Sequence, residues 1–246
     1  MLTCVTPDTN ILISLQTPKS THYKNAQNFT YDMKDKCLYS AYNVKVEFIH
    51  IISKCIKEAF SILIVSMSEA NNAGLFHDPI NFNKEFDRLM CEKVENITKN
   101  DTREITRTFL YKILAGINIF KIKKSNPLII QNLRREFEKQ PDIQFNIILK
   151  LFKNVEHCRI MKTEGKKYDF NYTRTILNWY HRKNRFFFKN GKFEQGDALI
   201  SAELLTSITS HNKPNIFITF DRDFYDDLSK IFRKESLVSL VKHMKL

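Results

Sequence analysis

Asn215-Ile-Phe-Ile-Thr-Phe220 is the segment that most restricts how this chain can fold. It is a short apolar run with Pro214 before it and Asp221 directly after it, which predicts a strand buried on both faces. Strands of that kind belong to parallel sheets, where they alternate with helices. The N-terminus repeats the arrangement. Leu2 to Thr6 reads as a short strand, Pro7-Asp8-Thr9-Asn10 as a turn, and Ile11-Leu12-Ile13 as the opening of a helix. Residues 17–36 are polar and read as a loop. Cys37 to Ser40 resembles a second strand, and a helix follows in which Val44, Phe48, Ile51, Ile52 and Cys55 recur at helical spacing. That register places Glu47 beside the apolar stripe, near the first turn.

From about 58 to 180 the pattern is helical. Apolar positions recur three and four apart in 105–120, 128–137 and 143–155, with breaks at Asn126-Pro127 and Pro141-Asp142. No strand alternation and no internal repeat stands out there. A turn at Asn190-Gly191 and Glu194-Gln-Gly-Asp197 precedes a helix starting near Asp197, with Ala198, Leu199, Ala202, Leu205 and Ile208 mostly on one side. A further helix is expected over 225–233 and a last strand over 236–241. The two ends thus alternate strand and helix around a helical middle. The expectation is one α/β domain with a parallel sheet, assembled from 1–57 and 190–246, with a helical insertion at about 58–189. The alternative is that the middle folds as a domain of its own.

Composition closes off other classes. With 5 Gly and 6 Pro in 246 residues, collagen-like and linker-rich readings fail. The longest apolar run, Phe60 to Met67, is far short of the roughly 20 residues a membrane span needs. Met1-Leu-Thr-Cys-Val-Thr lacks the pattern of a signal peptide. The five cysteines are scattered without C-x-x-C spacing and read as reduced core thiols. A soluble, cytoplasmic protein with no membrane association is expected.

The net charge of +12 is unevenly spread. Residues 48–190 hold 26 basic and 15 acidic side chains, +11, while the two ends are nearly neutral. Such a bias suggests a surface for a polyanion. Its densest part is 170–193, where Arg174, Arg182, Lys183, Arg185, Lys189 and Lys192 occur without an acid, among Phe170, Tyr172, Trp179, Tyr180 and Phe186-Phe187-Phe188. Bases stack on aromatic rings while cations pair with phosphates, so the mixture suits single-stranded nucleic acid.

The acids fall elsewhere. Asp8 lies just past the first expected strand, and Asp221 and Asp223 lie just past the strand 215–220. Glu47 and Asp197 each sit near the start of a helix. In an open parallel sheet, ligands collect outside the carboxyl ends of the strands. Carboxylates gathered there repel one another unless a hard cation neutralises them, which points to Mg²⁺ or Mn²⁺.

In order along the chain, Asp8-Thr9-Asn10-Ile11-Leu12, then Ser40 to Phe48 with Glu47, then Gly196-Asp197-Ala198-Leu199-Ile200-Ser201-Ala202, then Ile218-Thr219-Phe220-Asp221-Arg222-Asp223-Phe224, resemble the motifs of the PIN-domain nucleases. The resemblance covers about 1–57 and 190–246. It implies a three-layer α/β/α fold with a central parallel sheet, and metal-dependent hydrolysis of RNA that leaves a 5′-phosphate and a 3′-hydroxyl. Asp8, Glu47, Asp197 and Asp221 would be the catalytic acids holding one or two divalent ions, Asp223 an auxiliary acid, and Asn10 and Thr219 the residues orienting them. Glu58 and Glu69 compete for the place of Glu47. Three departures stand out: Pro7 replaces an aliphatic residue, residues 48–196 make an unusually long insertion, and no helix-turn-helix or OB barrel accompanies the motifs.

The function expected is therefore an endoribonuclease acting on single-stranded or tRNA-like RNA, of the toxin or defence-effector kind. An inhibitory protein partner on the basic surface and a homodimer are both compatible with it. Two alternatives stand beside it. One is a flap-type nuclease acting on DNA, single-stranded DNA included; the other is an RNA-binding protein whose acids are vestigial.

Overall fold

The computed structural model describes residues 4–33, 37–75, 79–116, 127–151, 159–161, 188–189, 192–211, 215–234 and 240–243. Helices are α1 (Thr9–Ser14), α2 (Tyr23–Asp32), α3 (Tyr42–Asn72), α4 (Pro79–Glu95), α5 (Asn100–Ala115), α6 (Pro127–Phe137), α7 (Gln140–Leu151), α8 (Gln195–His211) and α9 (Arg222–Lys234). Strands are β1 (Cys4–Pro7), β2 (Cys37–Ala41), β3 (Arg159–Met161), β4 (Phe188–Lys189), β5 (Lys192–Phe193), β6 (Asn215–Thr219) and β7 (Leu240–His243). The chain divides into two compact units, one of 1–48 with 145–246 and one of 49–144.

The expected three-layer α/β/α architecture is corrected. Helix dominates the described residues, and no strand is longer than five residues. The whole unit 49–144 contains helices alone among its described residues. The reason lies in the apolar spacing. Phe82, Phe86, Met90 and Val94 on α4, and Ile105, Phe109 and Ile113 on α5, are all buried. These helices bury their stripes in a helical core that needs no sheet. The protein is a predominantly helical chain in which short parallel strands occupy one unit.

Those strands run in the order β3-β2-β1-β6-β7, all parallel, with β4 and β5 forming a separate antiparallel ribbon. β1 pairs with β2 at Cys4↔Cys37 and Val5↔Leu38, and with β6 from Cys4↔Asn215 to Pro7↔Ile218. Pro7 therefore ends the strand on the β6 side, and the N–H of Asp8 donates to the Ile218 carbonyl 2.9 Å away. Proline lacks the donor a ladder needs, and its neighbour supplies the next bond. From β1 the chain moves outward to β2 and β3, then returns to the other side of β1 for β6 and β7. The order reverses between β1 and β6, the kind of place where open parallel sheets take ligands, outside the carboxyl ends of the strands.

Further expectations are refined or revised. Residues 17–36 contain α2, whose Ala26 and Phe29 are buried, as is Met33 just beyond; its polar outer face hid that stripe. β3 lies inside the stretch expected to be wholly helical, and three residues are too few to show alternation. The break expected at Pro141-Asp142 is present but falls at 138–139, and Pro141 stands in the first turn of α7, where its missing N–H costs nothing. Cys55 is buried, and burial pushes its thiol up to about 11. Cys91 is exposed, against the expectation of a core thiol.

Among the described residues no helix is long and apolar enough to cross a membrane.

Candidate acidic site

Asp8 follows β1 directly and is 5% exposed. It has extended backbone angles and caps α1, with Oδ1 accepting from the Thr9 N–H at 2.7 Å. Its Oδ2 accepts from Asn10 Nδ2 at 2.8 Å and from Thr219 Oγ1 at 2.6 Å. Thr219, the last residue of β6, is fully buried. Its hydroxyl also accepts from Asn10 Nδ2 at 2.9 Å and from the Asp221 N–H at 2.9 Å. Asn10 Oδ1 in turn accepts from the Phe220 N–H at 3.3 Å. The carboxyl ends of β1 and β6 are thus tied together by side chains as well as by the ladder.

Thr219→Val keeps the shape and removes the hydroxyl that three groups share. The expected outcome is a loss of about 2 kcal/mol in denaturant unfolding, because Asp8 and the Asp221 N–H each lose a partner. Thr219→Ser restores most of it.

Glu47 lies on the second turn of α3. Its Oε2 accepts from Thr9 Oγ1 at 2.7 Å. A Cβ placed on Gly196 of α8 would stand 4.0 Å from its Oε1, so this carboxylate lies against the start of α8. Asp197 occupies the first turn of that helix and is half-buried. Asp221 caps α9, its Oδ1 accepting from the N–H groups of Asp223 at 2.9 Å and Phe224 at 3.1 Å. Asp223 itself is exposed in the first turn of α9.

Electrostatics binds four of these groups into one set. Burial raises the Asp8 carboxyl to about 7 against the hydrogen bond from Thr219, and the charges of Glu47 and Asp221 push the same way. Burial likewise raises Asp197 to about 8, followed by the charges of Asp8, Asp221, Glu47 and Glu194. Asp8, Glu47, Asp197 and Asp221 therefore share one electric field. No group of three or more His, Cys, Asp or Glu is arranged to hold a metal ion among the described residues. Asp8, Glu47 and Asp221 each accept hydrogen bonds from their own surroundings, and protonation relieves the remaining repulsion.

The acids that compete for the place of Glu47 belong to the other unit. Glu58 is exposed, and Glu69 pairs with Lys93 at 2.7 Å, both within the unit 49–144. Asp226 is exposed as expected of a solvated helix start, and Asp227 lies 3.8 Å from Lys230. Of the basic residues, Arg174, Arg182, Lys183 and Arg185 lie outside the described residues. Lys189 and Lys192 are direct partners across the β4–β5 ribbon.

Two residues escaped the sequence reading. Thr9 holds Glu47, and its place between Asp8 and Asn10 was the available signal. Glu203 is 1% exposed on α8 among the buried Ala202, Leu204 and Leu205. An acid in the middle of an apolar run was the sign that it must have a partner.

Comparison with protein-family models, curated proteins and solved structures gives no match for this chain.

Proposed function

We propose that this protein is a divalent-cation-dependent nuclease that hydrolyses phosphodiester bonds in single-stranded or tRNA-like RNA. One observation carries the reading: Asp8 and Asp221 follow the carboxyl ends of β1 and β6, Glu47 accepts from Thr9 beside Asp8, and burial together with the charges of the neighbouring acids raises the carboxyls of Asp8 and Asp197 to about 7 and about 8. A group of oxygen donors under mutual repulsion matches a hard cation in chemistry. Asp8, Glu47, Asp197 and Asp221 would hold one or two Mg²⁺ or Mn²⁺ ions. Such an ion supplies a stronger nucleophile from water and offsets the charge that develops on the phosphoryl group.

The chain's own residues prepare that site. Asn10 and Thr219 fix the orientation of Asp8, and Thr9 fixes one oxygen of Glu47. Asp221 is anchored through Oδ1 at the start of α9. Carboxylates oriented by neighbours in this way lose less freedom when they bind an ion. The preference for RNA rests on the motif resemblance, and that for single strands on the cation and aromatic mixture of 170–193.

The test is cleavage of end-labelled single-stranded RNA and DNA by purified protein in Mg²⁺, Mn²⁺ or EDTA. RNA cleavage that needs the ion and vanishes in Asp221→Asn is the expected result. Cleavage of DNA alone would replace the substrate, and binding without cleavage in either ion would defeat the enzymatic reading.

A further inference from the structure

Glu203 is a nearly inaccessible carboxylate that the proposed chemistry does not use. Its two oxygens are fully engaged at the start of α3. Oε1 accepts from the Tyr42 N–H, and Oε2 accepts from the Asn43 N–H at 2.9 Å and from Asn43 Nδ2 at 2.8 Å. The first N–H groups of a helix have no partner within it and carry partial positive charge. A carboxylate supplied from another helix satisfies two of them at once.

The consequence lies in what the two helices carry. α8 bears Asp197 two residues into its length and Glu203 about two turns in. α3 bears the clamped amides at Tyr42 and Asn43 and, just over one turn later, Glu47. Glu47 Oε1 comes back against Gly196, beside Asp197. We infer that Glu203 is a positioning residue: by gripping the first amides of α3 it sets the height and rotation of that helix against α8, and so the placement of Glu47 relative to Asp197.

Three features distinguish this from an ordinary helix cap. The acid belongs to a different helix, 160 residues away in sequence from Asn43. It makes a third bond to the Asn43 side chain, which resists rotation of α3 about its axis. Both helices it joins carry, near their N-terminal ends, an acid of the candidate site, Glu47 on α3 and Asp197 on α8, and the charge of Glu47 acts on Asp197. The inference rests on the nuclease reading for its catalytic meaning, while its geometric content can be measured without metal or substrate.

The experiment compares wild type with Glu203→Gln, in which one oxygen becomes a donor facing backbone N–H groups. Two readouts are taken. The first is steady-state cleavage of single-stranded RNA in Mn²⁺. The second is the carboxyl-carbon NMR signal of Glu47 in metal-free protein, assigned by its loss in Glu47→Gln. A tenfold or greater fall in kcat is expected, with KM within about twofold, since outer-shell partners of this kind are worth roughly 10–100-fold. The Glu47 signal shifts while that of the exposed Asp223 stays in place. If Glu203→Gln does not fold, Asn43→Ala removes one of the three bonds without touching the carboxylate and should show the same two changes more weakly. A folded variant with wild-type kcat and an unmoved Glu47 signal overturns the inference. If the wild type cleaves nothing, the nuclease reading fails alone, and the Glu47 signal decides the positioning role by the same criterion.

Discussion

Asp8→Asn lowers metal-dependent RNA cleavage by roughly 10³-fold or more, with little change in RNA binding. The magnitude follows from what that side chain is asked to do. One of its oxygens already accepts from Thr219 and Asn10 and the other from the Thr9 amide, so the carboxylate has a single orientation. The amide of Asn cannot offer two acceptor oxygens to that surround, and it removes one negative charge from the set that would hold the ion. In the proposed reading RNA binding would draw on the basic residues of 170–193, so it should be spared. Cleavage rate and filter binding of one labelled RNA, measured side by side, separate the two. Equal loss of both would mean that Asp8 supports the fold and does no chemistry.

Without metal, Asp197→Asn stabilises the protein at pH 8 and leaves it unchanged at pH 4. The sign follows from the raised carboxyl. The folded state holds the Asp197 proton up to about pH 8, whereas the unfolded chain releases it near 3.8. Stability from this group is complete below about pH 4 and is lost progressively as pH rises towards 8. Each pKa unit corresponds to about 1.4 kcal/mol, but the repulsion is shared with Asp8 and counts once for the pair. A gain of about 2–3 kcal/mol at pH 8 is the reasonable expectation, or roughly 5–10 °C in Tm for a chain of this size. Added Mn²⁺ should raise the Tm of wild type and narrow the gap to the variant. A variant less stable than wild type at pH 8 in EDTA would contradict the coupling among the four acids.

How much of this could be seen in the chain alone depended on how far each residue's partner lies along it. Asp8 and Asp221 were legible because each stands just beyond a short apolar run, and a strand end is a local pattern. The elements at both ends were legible for the same reason, from Ile216-Phe217-Ile218 and from Val44, Phe48 and Ile52. Glu203 was not, since the amides it satisfies are those of Tyr42 and Asn43, and no periodicity near residue 203 announces them. α2 was hidden because Asn, Gln and Lys surround its two buried residues. The overall architecture was misjudged for a different reason. Alternating strand and helix at the ends, with the motif resemblance, suggested a three-layer fold around a central sheet for 1–57 and 190–246, whereas helix dominates the described residues and no strand exceeds five residues.

The pairing of β1 with β6 has a consequence for the order of synthesis. Cys4 finds its register opposite Asn215, which is translated 211 residues later. Until then Asp8 lacks Thr219 to orient it, and Asp221 has not been translated. Contacts of such long range form late and slowly. If the protein is the proposed nuclease, a nascent chain would be inactive towards the RNA around it until the segment carrying β6 and Asp221 has emerged and closed against β1.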